Sequence, residues 1–218
     1  MNNISRVTRS KDAARTAYNR MSRWYDLFTS SEERFTDLGL RMLNVQPGEK
    51  VLEIGFGAGQ GLVALAHSAR ETGKVYGIDL SEGMFQVAQE KIARAGLSSR
   101  VELHLGDAAS LPFEDDFFDA IFISFTLELF DTPEIPLVLG ECKRVLREDG
   151  RLGVVAMAKG DGLAVRLYER GHDRWPSLLD CRPIPASKFA AEAGFQKVET
   201  TVKSMWGLPV EIVIARKP

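Results

Sequence analysis

From residue 50 onward two apolar patterns alternate along the chain. Short, densely apolar runs occur at "KVLEIG" (50–55), "GKVYGID" (73–79), "RVELHLGD" (100–107), "FFDAIFISF" (117–125) and "GRLGVVAMA" (150–158). These read as strands, and the fourth is apolar on both faces, as a central parallel strand is. Between them the apolar spacing changes to three and four: "GLVALAHSAR" (61–70), "SEGMFQVAQEKIARAG" (81–96), "TPEIPLVLGECKRVLRE" (132–148) and "PASKFAAEAGF" (185–195). That spacing predicts helices. Ser81 can cap the second of them and Gly96 can end it. Pro133 stands at the start of the third. "KVETTVKSM" (197–205) and "VEIVIARK" (210–217) close the chain as an antiparallel hairpin. Two further helices are expected ahead of all this. One covers 9–28, with Ala14, Ala17, Tyr18, Met21, Trp24, Tyr25 and Phe28 at helical spacing; the other covers about 31–44 and stops at "QPGE".

Strands that alternate with helices build a parallel sheet covered on both faces. Right-handed crossovers then put ligands at the carboxyl ends of the strands. The stretch "VLEIGFGAGQG" places a glycine loop at the end of the first strand. It is not a phosphate loop, because no lysine follows the glycines. It is not the dinucleotide pattern GxGxxG either. Counted from Gly55 the third glycine is replaced by Gln60, and counted from Gly57 by Leu62. What remains is Glu53-x-Gly55-x-Gly57-x-Gly59, which by itself also describes a tight strand-to-helix turn.

Three acids sharpen the reading. Asp79 ends the second strand, where a carboxylate can accept from both hydroxyls of a ribose. Asp107 ends the third strand in "LGDA", where it can accept from the exocyclic amine of adenine while the Ala108 amide faces the ring. Each could instead only cap the helix that follows. Glu53 is the odd residue: it sits inside an apolar strand, where a lone carboxylate is costly. It needs either the loop amides or a cationic ligand. A nucleoside with a cationic, zwitterionic tail satisfies all three acids, and S-adenosylmethionine is such a molecule.

The remaining features narrow the class. The chain has 218 residues, a net charge of −2, two cysteines and three histidines. Neither cysteine stands in metal-type spacing, so neither a metal nor a disulfide scaffold is expected. The charge balance gives no footprint for nucleic acid. No apolar run reaches a membrane-spanning length, and "MNNISRVTRSKDAARTAYNR" has no apolar core of a signal peptide. The expected location is cytoplasmic, and the sequence leaves room for an oligomer.

Four stretches, "VLEIGFGAG", "VYGIDLSEGMFQVAQEK", "GDAASLPFEDDFFDAIFISF" and "ECKRVLREDGRLGVVAM", resemble the successive motifs of the class I S-adenosylmethionine-dependent methyltransferases. "AYNRMSRWYDLF" and "LPFEDDFFDAI" are similar to the ubiquinone and menaquinone C-methyltransferase-like group. The resemblance implies an α/β, doubly wound, mostly parallel seven-stranded sheet whose last strand is antiparallel. It implies S-adenosylmethionine as cofactor, held by Asp79, Asp107, Ala108 and Ser124, with Tyr25 as a lid residue. Glu53, Gly55, Gly57, Gly59, Leu80 and Met84 complete the expected cofactor set. Where that group has Arg-Asn after the matching serine, this chain reads "SFTLELF", with Glu128 and Leu129.

The expected domain plan is a helical lid over 1–45 and a methyltransferase unit over 46–218. The expected substrate is a small, apolar or aromatic methyl acceptor of quinone-, phenol- or lipid-like kind. Glu128, past a central strand end, and His172, titrating near neutrality, are the candidate catalytic residues. Three other readings stay open: methylation of a small amine, a non-catalytic S-adenosylmethionine-binding regulator, and an NAD-dependent enzyme.

Overall fold

A computed structural model describes residues 30–160 and 181–218, together with 16, 162, 165, 167, 168, 170 and 171. Tyr25 and His172, two of the expected site residues, lie outside the described residues. The strands are β1 (Lys50–Ile54), β2 (Lys74–Asp79), β3 (Val101–Leu105), β4 (Phe118–Ser124), β5 (Leu146–Met157), β6 (Gln196–Met205) and β7 (Leu208–Arg216). The helices used below are α1 (Ser30–Leu43), α2 (Gln60–Ala69), α3 (Glu82–Arg94), α4 (Ile135–Val145) and α5 (Ala186–Glu192).

The strands form one seven-stranded sheet in the order β3-β2-β1-β4-β5-β7-β6. β3, β2, β1, β4 and β5 are mutually parallel, and β7 runs antiparallel to both β5 and β6. Strand order reverses between β1 and β4. Crossovers leave the sheet in opposite directions there and open a crevice at the carboxyl ends.

The period-two alternation of the strands sorts the core into two halves. Leu52, Ile54, Ile121, Ile123, Leu152 and Val154 pack with α4 and α5, through Leu139, Cys142 and Phe189. Val51, Ala120, Phe122 and Val155 face the other way, toward Leu62, Leu65 and Ile92 of α2 and α3. Glu53 is two residues from Val51, so its side chain belongs to this second face.

α1, the described helix of the 1–45 segment, is fixed on that same face. Phe35 and Leu43 are buried there. Gly39 allows the close approach: a methyl group on it would lie 2.5 Å from Cγ2 of Val155. At the end of α1, the Arg151 guanidinium donates through Nε to the Leu43 carbonyl at 2.9 Å.

Two boundaries differ from the pattern reading. The helix expected over 132–148 begins at Ile135, with a proline in its first turn that is Pro136 rather than Pro133. A 3₁₀ turn over Leu127–Leu129 takes up part of the connection. β5 starts four residues early, because "REDG" bulges while staying in the ladder: the register shifts between Phe118 and Ala120, and Asp149 sits at φ 58°.

Candidate functional site

The glycine loop leaves β1 through left-handed backbone. Gly55, Gly57 and Gly59 have φ of 69°, 50° and 85°, a region that L side chains avoid. Gly55 donates to the Ile78 carbonyl at 2.8 Å, which ties the loop to β2. Asp79 then closes it. Its Oδ2 accepts from the Gly57 amide at 3.0 Å, and its Oδ1 from the Ser81 amide at 2.8 Å. Ser81 in turn caps α3 by accepting from the Met84 amide at 3.2 Å. Met84 is buried and Leu80 half-buried.

Across the reversal point, Thr126 donates to the Gly55 carbonyl at 3.3 Å. Ser124 ends β4 and shares a hydrogen bond of 2.8 Å with Thr36 of α1. Phe125, next in the chain, is buried at a φ of 47°, a strained conformation for a bulky residue. These elements enclose a cavity of about 330 Å³ between the glycine loop, the start of α2, the end of β4 and α1. Glu53, Gly55, Gly57 and Ser124, all expected site residues, line it. So do Glu32, Glu33 and Asp37 of α1, which the pattern reading did not single out. The described lining residues include four carboxyl side chains and no basic one.

Asp107 stands at the end of β3, half-buried, and its Oδ1 accepts from the Ala109 amide at 3.0 Å. Ala108 is buried beside it. Asp79 and Asp107 are therefore turn-formers as well as candidates for a ligand, an ionised carboxylate offering about four acceptor positions.

Glu53 fits no purely structural role. It is 4% exposed, and its Oε2 has no hydrogen-bond partner. Its carboxyl presses on Gly61, where an added methyl would meet Oε1 at 2.0 Å. Burial holds its pKa well above the usual carboxylate range, and the charge on Asp79 pushes the same way. Such a group is poised to meet a cation. Glu128 is wholly buried and is not among the residues that line the cavity. Its Oε1 accepts from the Met157 amide at 3.1 Å, while its Oε2 has no partner. Arg182 is buried and clasps the turn that carries Glu128. It donates to the carbonyl of Glu128 at 3.2 Å and to the Thr132 hydroxyl at 2.8 Å.

Burial pushes Asp79 up to about 6, Glu32 to about 7 and Glu128 to about 8. A carboxyl whose folded-state pKa is raised binds more proton when folded than when unfolded. Its contribution is therefore fully present below the unfolded value and is lost as pH rises from there through the folded value. The ligand-free chain is expected to melt at a higher temperature near pH 6 than near pH 8.5. Glu128→Gln should flatten the upper part of that slope. Scanning calorimetry across the range checks both; a melting temperature that rises with pH would contradict the burial of these groups.

Residues 51–150 match the model of a methyltransferase domain family. Over that stretch and in its fold the chain is similar to S-adenosylmethionine-dependent methyltransferases. It is 36% identical over 120 residues to a demethylmenaquinone methyltransferase of Bacillus subtilis, covering 55% of this chain and 50% of that protein. A protein of the same name from Geobacillus stearothermophilus is 40% identical over 111 residues, covering 51% and 46%. The chain thus spans about half the length of these relatives. Among solved structures, an S-adenosylmethionine-dependent methyltransferase from Aquifex aeolicus superposes with a TM-score of 0.63 at 26% identity, over 84% of this chain and 89% of that one. The [4+2]-cyclase SpnF superposes with a TM-score of 0.70 at 25% identity, over 85% and 81%. One fold therefore carries more than one chemistry, and function has to be argued from the site. The donor set suits the family's cofactor. A glycine cradle, a buried carboxyl with an unpartnered Oε2 and an acid at the next strand end match a cationic nucleoside, and the described lining residues offer no lysine to a phosphate.

Among the described residues no helix is long and apolar enough to cross a membrane, and no group of histidine, cysteine and acidic side chains is arranged to hold a metal ion.

Proposed function

We propose that this chain transfers the methyl group of S-adenosylmethionine to a small apolar or aromatic acceptor of quinone-, phenol- or lipid-like kind. The observation that carries the reading is the Glu53 carboxyl, buried without a partner for Oε2 inside the glycine cradle. In this reading Glu53 and the loop Gly55–Gly59 receive the cationic methionine end. Asp79 accepts from the ribose, Asp107 and Ala108 read the adenine, and Leu80, Met84 and Ser124 complete the pocket. Of the expected 1–45 lid only α1 enters this reading, since Tyr25 lies outside the described residues. The names of the Bacillus and Geobacillus relatives support a quinone-like acceptor.

The bound cofactor would supply an already activated methyl group. What remains for the protein is to hold acceptor and methyl carbon in line and to keep water out, which is worth several kcal/mol of barrier, about 7–11 in the best-oriented cases. The acidic wall of Glu32, Glu33, Asp37 and Glu53 also favours a second reading, an amine acceptor, because a cationic group entering this cavity meets four carboxyls and, among the described lining residues, no positive charge.

Calorimetric titration separates the alternatives. S-adenosylhomocysteine should bind saturably and NAD should not. Labelled methyl from S-adenosylmethionine should then appear on a hydroquinone, or on an amine if the second reading holds. Binding without transfer to any of a panel of quinols, phenols, lipids and amines would leave a regulatory binding protein. Binding of NAD in place of S-adenosylhomocysteine would end the methyltransferase reading.

A further inference from the structure

Glu32 lies in the first turn of α1, half-buried, and closes the cavity opposite the glycine loop. We propose that Glu32 is the proton acceptor for the molecule being methylated, taking the proton from the O–H or N–H that this molecule carries at, or in conjugation with, the reacting atom. The inference rests on the methyl-transfer reading above and adds the residue that would activate the acceptor.

The geometry comes first. Glu53 marks the cofactor's side of the cavity, because its unpartnered carboxyl sits in the cradle formed by Gly55, Gly57 and Gly61. α1 lies across from it, and Thr36, one turn beyond Glu32, bonds Ser124 at the end of β4. A molecule placed between the two walls has the cradle on one side and Glu32 on the other.

The charges around Glu32 come next. On its own helix stand Glu33 and Asp37, from β1 comes Glu53, and from the turn after β4 comes Glu128. Arg182 lies behind that turn with its guanidinium on backbone carbonyls and the Thr132 hydroxyl. Arg34, the residue after Glu33, turns away and donates to the Ser204 carbonyl at 3.1 Å. Among the described lining residues no cation neutralises Glu32.

Glu32 and Glu128 are then separated in role by their surroundings. Burial raises Glu32 to about 7, and the charge on Glu32, once formed, helps hold the proton on Glu128, which stands at about 8. Near neutrality Glu128 keeps its proton and Glu32 is the one that exchanges it, which is where a general base works best. In the step itself the acceptor's O–H or N–H bond breaks and the proton goes to a carboxylate oxygen of Glu32. The electron pair left on the acceptor makes the new bond to the methyl carbon. The pair of the broken carbon–sulfur bond goes to sulfur, whose positive charge it cancels. Glu32 afterwards gives its proton to water.

The test uses the whole chain with S-adenosylmethionine and two probes, a hydroquinone and a primary amine. With whichever probe is methylated, kcat/KM of the native chain should rise with pH through about 7 and then level. Glu32→Gln should lower it by roughly 10²–10⁴-fold and remove the rising limb, whereas Glu32→Asp should keep the limb. S-adenosylhomocysteine affinity should be the same in all three. A readout that needs no turnover is the carboxyl carbon resonance of Glu32 in the S-adenosylhomocysteine complex, which should titrate near 7 and vanish in Glu32→Gln. An unchanged pH profile in Glu32→Gln, or a Glu32 resonance that titrates in the ordinary glutamate range, overturns the assignment. So does a loss of S-adenosylhomocysteine affinity that matches the loss of rate, because Glu32 then serves the cofactor's ammonium group. If the native chain binds S-adenosylhomocysteine yet methylates nothing, the functional reading itself fails, and the base assignment with it.

Discussion

Gly57→Val should reduce S-adenosylhomocysteine binding below detection while the far-ultraviolet circular dichroism of the chain stays native. Gly57 has a φ of 50° and lines the cavity. For an ordinary L residue that conformation costs about 1–2 kcal/mol, and a branched Cβ makes it a genuine outlier. The loop would relax by turning the peptide, which pulls the Gly57 amide off Oδ2 of Asp79 and carries the valine into the space the ligand needs. Gly96→Val is the control. Gly96 also has a positive φ, 70°, but an added methyl there meets nothing within 4 Å. It should lose a similar amount of stability and keep its affinity. A Gly57→Val chain that binds normally would reduce the loop to a turn.

Asp79→Ala should weaken S-adenosylhomocysteine binding by about a hundredfold or more. Two hydroxyl bonds to an ionised acceptor are worth roughly 1.5–3 kcal/mol each, and about 1.4 kcal/mol is a factor of ten. The substitution also strips partners from the Gly57 and Ser81 amides, so part of the loss is the loop's own disorder. Asp79→Asn should do little better, because one end of an amide presents donors to amides that are already donors. The effect has a pH signature. Burial holds Asp79 near 6, so the native affinity should fall below that pH toward that of the alanine variant. Calorimetry at two pH values tests it; an alanine variant with native affinity would leave Asp79 as a helix-entry residue only.

The strand-end acids were legible because each breaks a pattern. Glu53 interrupts an apolar strand, and Asp79 and Asp107 terminate theirs where the topology puts ligands. The seven-stranded sheet followed from the same alternation. Glu32 was not legible. An acid in the first turn of a helix is the ordinary complement to the helix dipole, and "SSEERF" looks like any solvated helix start. Only the fold shows that Glu32 and Thr36, four residues apart, turn toward the end of β4. The burial of Arg182 was not legible for a related reason. An arginine in a polar loop reads as exposed, and nothing in the sequence says that the turn after β4 would offer it carbonyls to bury against. Pro133 and Pro136 are three residues apart in one helical pattern, and local preference alone does not choose between them.

The two-sided core has a consequence for how this protein can change over time. Among the apolar residues that line the cavity, Leu40, Phe56 and Phe125 belong to or pack on the half of the core under α1, α2 and α3, and none belongs to the half under α4 and α5. Substitutions beneath α4 and α5 can therefore drift and compensate one another at the expense of folding alone. Beneath α1 the same drift is read twice, once as stability and once as affinity, because Gly39 and Phe122 seat the helix that carries Glu32. A lineage acquiring a new acceptor would have to make its changes on the side where the fold has least slack, and would draw its stabilising substitutions from the other.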